Sequence, residues 1–166
     1  MNSIVVGFSR PKAWLEPFSW LIRLAYWSPI SHAYIRFELN GIPVVFQASG
    51  LKINLVSEAL FDSVEFVYKE FTLPIEEDKK KLLIEFAINQ LGKPYNIWGI
   101  LGMSIVRMGQ LIGIKISSPF PYNGSSDFCS ELVAYILETY DGIDIGENPA
   151  DESPQAVLAL LSKINS

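Results

Sequence analysis

Apolar and polar positions alternate with two different periods along this chain, and the change falls near its middle. Residues 3–8, SIVVGF, are an apolar run ended by Ser9, Arg10 and Pro11, which predicts a short buried strand. Residues 14–26 suit a helix whose regular part begins only after Pro17. Between residues 31 and 49 two runs of period two flank Asn40-Gly41, the pattern of a hairpin with a tight turn. Residues 54–72 add one or two more strands, with Val64, Phe66, Tyr68 and Glu70 on one side. After Pro74 the period lengthens. EEDKKKLLIEFAINQLG carries acids in its first turn and apolar residues at Leu82, Leu83, Phe86 and Ala87, closed by Gly92 and Pro94, and predicts a helix of about four turns. A loop, SSPFPYNGSS, leads into a helix containing Cys129, and residues 153–161 form a last short one. Strands precede helices and no internal repeat occurs, so the expected class is α+β with an antiparallel sheet packed against helices.

The hairpin can be read residue by residue. A two-residue type I′ turn at Asn40-Gly41 sets Leu39 opposite Ile42, Tyr34 opposite Gln47 and His32 opposite Ser49. One face then carries Ala33, Ile35, Phe37, Val44, Phe46 and Ala48 and belongs to the core. The other carries His32, Tyr34, Arg36, Gln47 and Ser49, with Gln47 diagonal to His32 and within reach of a long side chain. Such a face is either the solvated side of an antiparallel sheet or part of a site.

Composition narrows the function. The chain has 166 residues, enough for one domain with a real core, and 49% hydrophobic against 19% charged residues mark it as globular. Thirteen Lys and Arg against eighteen Asp and Glu leave a net charge of -5 without a basic cluster, which argues against nucleic acid as a partner. One cysteine and one histidine cannot supply the usual ligands of a structural zinc site, so neither a metal nor another cofactor is expected. The first residues, MNSIVVGFSRPKAW, do not match the signal-peptide pattern, and a cytoplasmic product is the expectation. Residues 96–116 come nearest to a membrane span, but Arg107 and four glycines interrupt them, which predicts a helix lying against the domain.

Cys129 sits in SDFCSELVAYIL, where Ser126 or Asp127 can cap a helix continued by Leu132, Val133, Ile136 and Leu137. Unpaired backbone N–H groups at that end favour an anion, which suits a thiolate or a developing oxyanion. Equally, Cys129 can simply begin an apolar stripe, since free cysteine is among the most buried residue types.

AINQLGKPYNIWG followed by DFCSELVAYIL resembles the cysteine half of the NlpC-type papain-like amidases and peptidases, and SHAYIRFELNGIPVVFQASG resembles their histidine half. Here the histidine half comes first, as in the circularly permuted branch of that superfamily, which includes acyltransferases related to the lecithin-retinol enzyme. The resemblance spans roughly residues 3 to 140 and rests on two short motifs in that order. It implies a single permuted papain-like domain over residues 1–166, with an apolar helical insertion at about 97–116. It further implies Cys129 as nucleophile, His32 as base and Gln47 as the third polar residue, with Tyr95 at the family's site tyrosine. Many permuted members carry a carboxylate where this chain has Gln47, and the stretch between Tyr95 and Cys129 is unusually long.

The implied activity is cysteine-dependent hydrolysis of amide or peptide bonds, with acyl transfer or ester and thioester cleavage as variants. A glutamine carbonyl can accept the imidazole Nδ1 proton and fix the ring, as an asparagine does in papain-like sites. Oxyanion or substrate contacts fall to Tyr95, Tyr34 and Ser130. The substrate is a small molecule, peptide or acyl compound, and the apolar segments at 14–27 and 98–114 either line a lipid-friendly groove, with peripheral membrane contact, or are core. The contrasting reading is a non-catalytic module of the same fold that binds an acyl chain, a membrane surface or a protein partner.

Overall fold

The computed structural model describes residues 2–13, 17–50, 52–94, 97–117, 129–142 and 153–165. Five strands, β1 (Ser3–Pro11), β2 (His32–Leu39), β3 (Ile42–Ser49), β4 (Lys52–Ser57) and β5 (Glu65–Pro74), form one antiparallel sheet in the order β4-β3-β2-β1-β5. The helices are α1 (Pro17–Ala25), α2 (Glu58–Val64), α3 (Glu77–Gln90), α4 (Ile97–Leu111), α5 (Cys129–Ile136) and α6 (Pro154–Ile164), with a π-helical turn (Leu137–Asp141) extending α5. The chain is thus α+β, as its periodicity predicts.

The β2-β3 hairpin takes the expected register. Leu39 pairs with Ile42 and Ile35 with Phe46. Asn40 and Gly41 have φ of 51° and 78°, the left-handed conformations that a type I′ turn demands and that asparagine and glycine tolerate best. Ala33, Ile35, Phe37, Val44, Phe46 and Ala48 all enter the main core. They meet Ile4, Val6 and Phe8 of β1, Leu83 and Ala87 of α3, Leu132, Val133 and Ile136 of α5, and Val157 and Leu161 of α6.

Two segments depart from the sequence-based expectation. Ser9, Arg10 and Pro11 do not end the first strand. Pairing with β5 carries β1 through Pro11: β2 flanks it only as far as Ser9, and Arg10 and Pro11 extend beyond as partners of Phe66 and Glu65. Residues 58–64 are helical rather than extended: the Ser57 hydroxyl accepts from Leu60 N–H and caps α2, and Phe61 points inward while Val64 stays exposed. Alternation resumes in β5 with Phe66 and Tyr68 exposed and Phe71 and Leu73 buried.

That short helix decides the fate of the polar face of the hairpin. Phe61 packs with Tyr34 and Val45 in a second, smaller cluster, so this face is covered and not solvated. His32 and Gln47 are each only 8% exposed, and Tyr34 is fully buried. Tyr34 fits there because its cross-strand neighbour on β1 is Gly7: a Cβ at that position would lie 2.1 Å from the Tyr34 ring.

Candidate functional site

Three chain segments converge at one end of the sheet. His32 is the first residue of β2, Gln47 lies near the end of β3, and Cys129 is the first residue of α5, whose apolar stripe packs on β2 and β3. The diagonal predicted from the register is occupied: His32 Nε2 and Gln47 Oε1 are 2.7 Å apart. An amide oxygen can only accept, so Nε2 carries the proton and donates it. The sequence-based assignment of Nδ1 to this bond is corrected. Gln47 holds the ring by Nε2, the nitrogen farther from the backbone, because it approaches diagonally from the neighbouring strand. Nδ1 takes no part in this bond.

His32 interacts with Cys129 through both a side-chain hydrogen bond and charge. Burial pushes the imidazole pKa down, but Cys129, Glu65 and Gln47 together outweigh it, and the group titrates above the ordinary 6.5. Cys129 is 3% exposed and touches the main core. Ser130 comes next in the chain and is also buried. Tyr95 and the proposed helix caps Ser126 and Asp127 lie outside the described residues.

The Tyr34 hydroxyl, expected from the sequence as an oxyanion or substrate contact, is turned toward Glu70 in this structure. It donates to Glu70 Oε1 at 2.7 Å, and burial together with Glu70 raises the phenol's pKa far above its ordinary value. The ring stacks beside His32 with centroids 6.3 Å apart and leans on Phe61 at 4.4 Å. Next to it Arg36 is paired with three carboxylates, those of Glu58, Asp62 and Glu70. Tyr34 is thus fixed beside His32 by Glu70 and Phe61.

Sequence reasoning missed Glu65. Ser9, fully buried and paired with His32 across β1 and β2, donates through Oγ to Glu65 Oε2 at 2.7 Å. A bulge makes this possible. Phe8 pairs with Lys69 but Ser9 with Val67, so Tyr68 is an extra residue in β5. Strict alternation would send Glu65 and Glu70 to opposite faces, and the extra residue brings both to the row of His32 and Tyr34. Ser9, polar at a fully buried strand position, was the available signal, since such a hydroxyl requires a partner.

Among the described residues no three His, Cys, Asp or Glu side chains are grouped closely enough to hold a metal ion. No helix among them is long and apolar enough to cross a membrane; residues 97–111 form α4, which packs against α1. No protein family matches the sequence of this chain, and no curated protein matches it. Among solved structures, the chain is similar to the metalloprotein YiiX from Escherichia coli O157:H7 (DUF1105), with a TM-score of 0.58, 20% identity, and coverage of 95% of this chain and 90% of that one. The likeness is one of fold.

Proposed function

We propose that this chain is a cysteine-dependent hydrolase or acyl-transfer enzyme of the permuted papain-like kind, acting on amide, peptide, ester or thioester carbonyls. The observation that carries the reading is the meeting of Cys129, His32 and Gln47. The chain's only thiol and only imidazole come from positions almost a hundred residues apart, and the imidazole is held by a third polar side chain.

In the proposed cycle His32 Nδ1 takes the thiol proton and the Cys129 sulfur attacks the substrate carbonyl carbon. The backbone N–H of Cys129, at the start of α5, stabilises the oxyanion together with the dipole of that helix. The tetrahedral intermediate collapses as Nδ1–H protonates the leaving amine or alcohol, which leaves a thioester. Water, or a second nucleophile, gives its proton to Nδ1 and attacks the thioester; collapse returns the proton to sulfur. Gln47 keeps Nε2–H in place throughout, and Glu65 favours the imidazolium that forms twice per turnover. The description of YiiX as a metalloprotein is said of that protein, and no step here is drawn from it.

The test is direct. The protein is incubated with a panel of aryl esters, thioesters and amides, and Cys129 is examined by mass spectrometry for an acyl adduct. An adduct on Cys129, lost in Cys129→Ala and formed much more slowly in His32→Ala, supports the reading. The near-complete burial of Cys129 favours the second reading, a binding module of the same fold. A folded protein whose thiol takes up no acyl group and no alkylating reagent would overturn the first reading and leave the second standing.

A further inference from the structure

A cavity of about 390 Å³ opens beside the end of the sheet where His32 lies. Its lining includes three cations, Arg10, Lys12 and Arg23, two aromatic rings, Trp20 and Phe66, and the hydroxyl residue Ser19. No carboxylate is among the described residues that line it, in a chain whose net charge is -5. The two guanidinium groups are laid against the rings: Arg10 Cζ is 4.9 Å from the Phe66 centroid and Arg23 Cζ 5.3 Å from that of Trp20. Among the described residues neither arginine has an ion-pair partner, and Arg23 Nε is buried without a hydrogen bond. The contrast with Arg36 and its three carboxylates is informative. Arg36 also has a buried Nε without a hydrogen bond, so the difference lies in charge: three carboxylates face Arg36, and none among the described residues pairs with the two arginines that line the cavity.

The cavity adjoins the thiol's side of the sheet. Arg10 pairs with Phe66 on β5, and both lie on the face shared by Phe8 and Ala33, which is the face α5 covers. Ser19 Oγ is 2.7 Å from Ser31 Oγ, the residue before His32. Lys12 is tied to the main-chain oxygen of Asp62 but keeps its charge beside the cavity. Planar guanidinium groups stacked on aromatic faces are suited to gripping a tetrahedral oxyanion by several N–H groups, while the same rings accept an apolar neighbour of that anion.

We propose that this cavity binds a phosphate group carried on an apolar or aryl moiety. That this ligand is the anionic end of the substrate rests on the thiol chemistry above; that the cavity binds it does not. Calorimetric titration of phenyl phosphate into the full chain, as parent and as Cys129→Ala, separates the two. Phenyl phosphate is expected to bind both proteins alike, at least tenfold more tightly than phenol, and less tightly as salt rises. Arg10→Gln and Arg23→Gln are each expected to weaken binding severalfold, and together tenfold or more, with Arg23→Lys retaining part and the exposed Lys81→Gln changing nothing. Circular dichroism checks that each variant is folded. Sedimentation with phosphatidate vesicles, competed by phenyl phosphate, would identify a lipid headgroup as the source of the phosphate, and phenyl phosphate binding without sedimentation would identify a soluble ester. No binding by the parent, or undiminished binding by a folded Arg10→Gln/Arg23→Gln variant, overturns the proposal. Acyl adducts on Cys129 are scored separately, so the cavity and the cysteine chemistry can fail independently.

Discussion

Gln47 Oε1 stands 2.7 Å from His32 Nε2, so the histidine is held at its outer nitrogen, and the same ring is coupled to Cys129. If this bond sets ring orientation, Gln47→Leu should lower the rate of acyl-adduct formation by about an order of magnitude. Gln47→Glu should preserve or raise it, because a carboxylate accepts the same proton and also favours imidazolium. Parent-like rates in a folded leucine variant would remove Gln47 from the site.

The thiol gives a second prediction. A Cys129 coupled to a protonated imidazole should be alkylated by iodoacetamide at a rate that stays high well below the roughly 8.5 at which an ordinary thiol loses its reactive form. In His32→Ala the cation is gone, and the same profile should move to higher pH. Slow labelling that does not depend on His32, in protein shown to be folded, is the behaviour of a core cysteine.

The pH dependence of His32 itself is set by its surroundings. Its folded pKa is raised, so its charged form stabilises the fold fully below about 6.5, the unfolded value, and this contribution fades as pH rises through the folded value. Cys129→Ser and Glu65→Gln each remove a group that raises the pKa, while burial, which lowers it, persists. The imidazole titration tracked by NMR should therefore move down in both variants. An unmoved titration in Glu65→Gln would show that the Ser9–Glu65 pair does not act on His32.

Gly7 should tolerate no side chain. Its Cβ would lie 2.1 Å from Tyr34 Cζ, and both strands are held by neighbours on either side, so Gly7→Ala should cost about 1–3 kcal/mol, measurable by urea denaturation. Combining it with Tyr34→Ala should cost less than the sum of the two single changes, because the clash is then absent.

Much of this was legible in the sequence because it is governed by local rules. The type I′ signal at Asn40-Gly41 fixed the hairpin register, the register fixed which residues face the core, and with it came the diagonal from His32 to Gln47. Helix α3 was visible from its acids, its period and its closing glycine. What stayed hidden depends on long-range pairing. The alternating look of residues 54–72 concealed α2, whose helical turn is worth forming because Phe61 finds Tyr34 and Val45 beneath it. Glu65 was invisible for a related reason: only the bulge against β1 determines which face it joins. The Nε2 bond needed the ring's actual approach, which spacing does not encode.

The tight turn at Asn40-Gly41 also has a consequence in time. His32 and Gln47 are 15 positions apart and joined by a hairpin that closes locally, whereas Cys129 must come from almost a hundred positions away. Simple chain statistics make the longer closure dearer by about 1.7 kcal/mol, before any helix packs. The imidazole and its amide therefore form an early half-site on the folding route, and the sulfur joins a prepared partner late. In a chain emerging from the ribosome the hairpin is also synthesised long before the thiol, so the nucleophile meets its base only when α5 docks on the sheet.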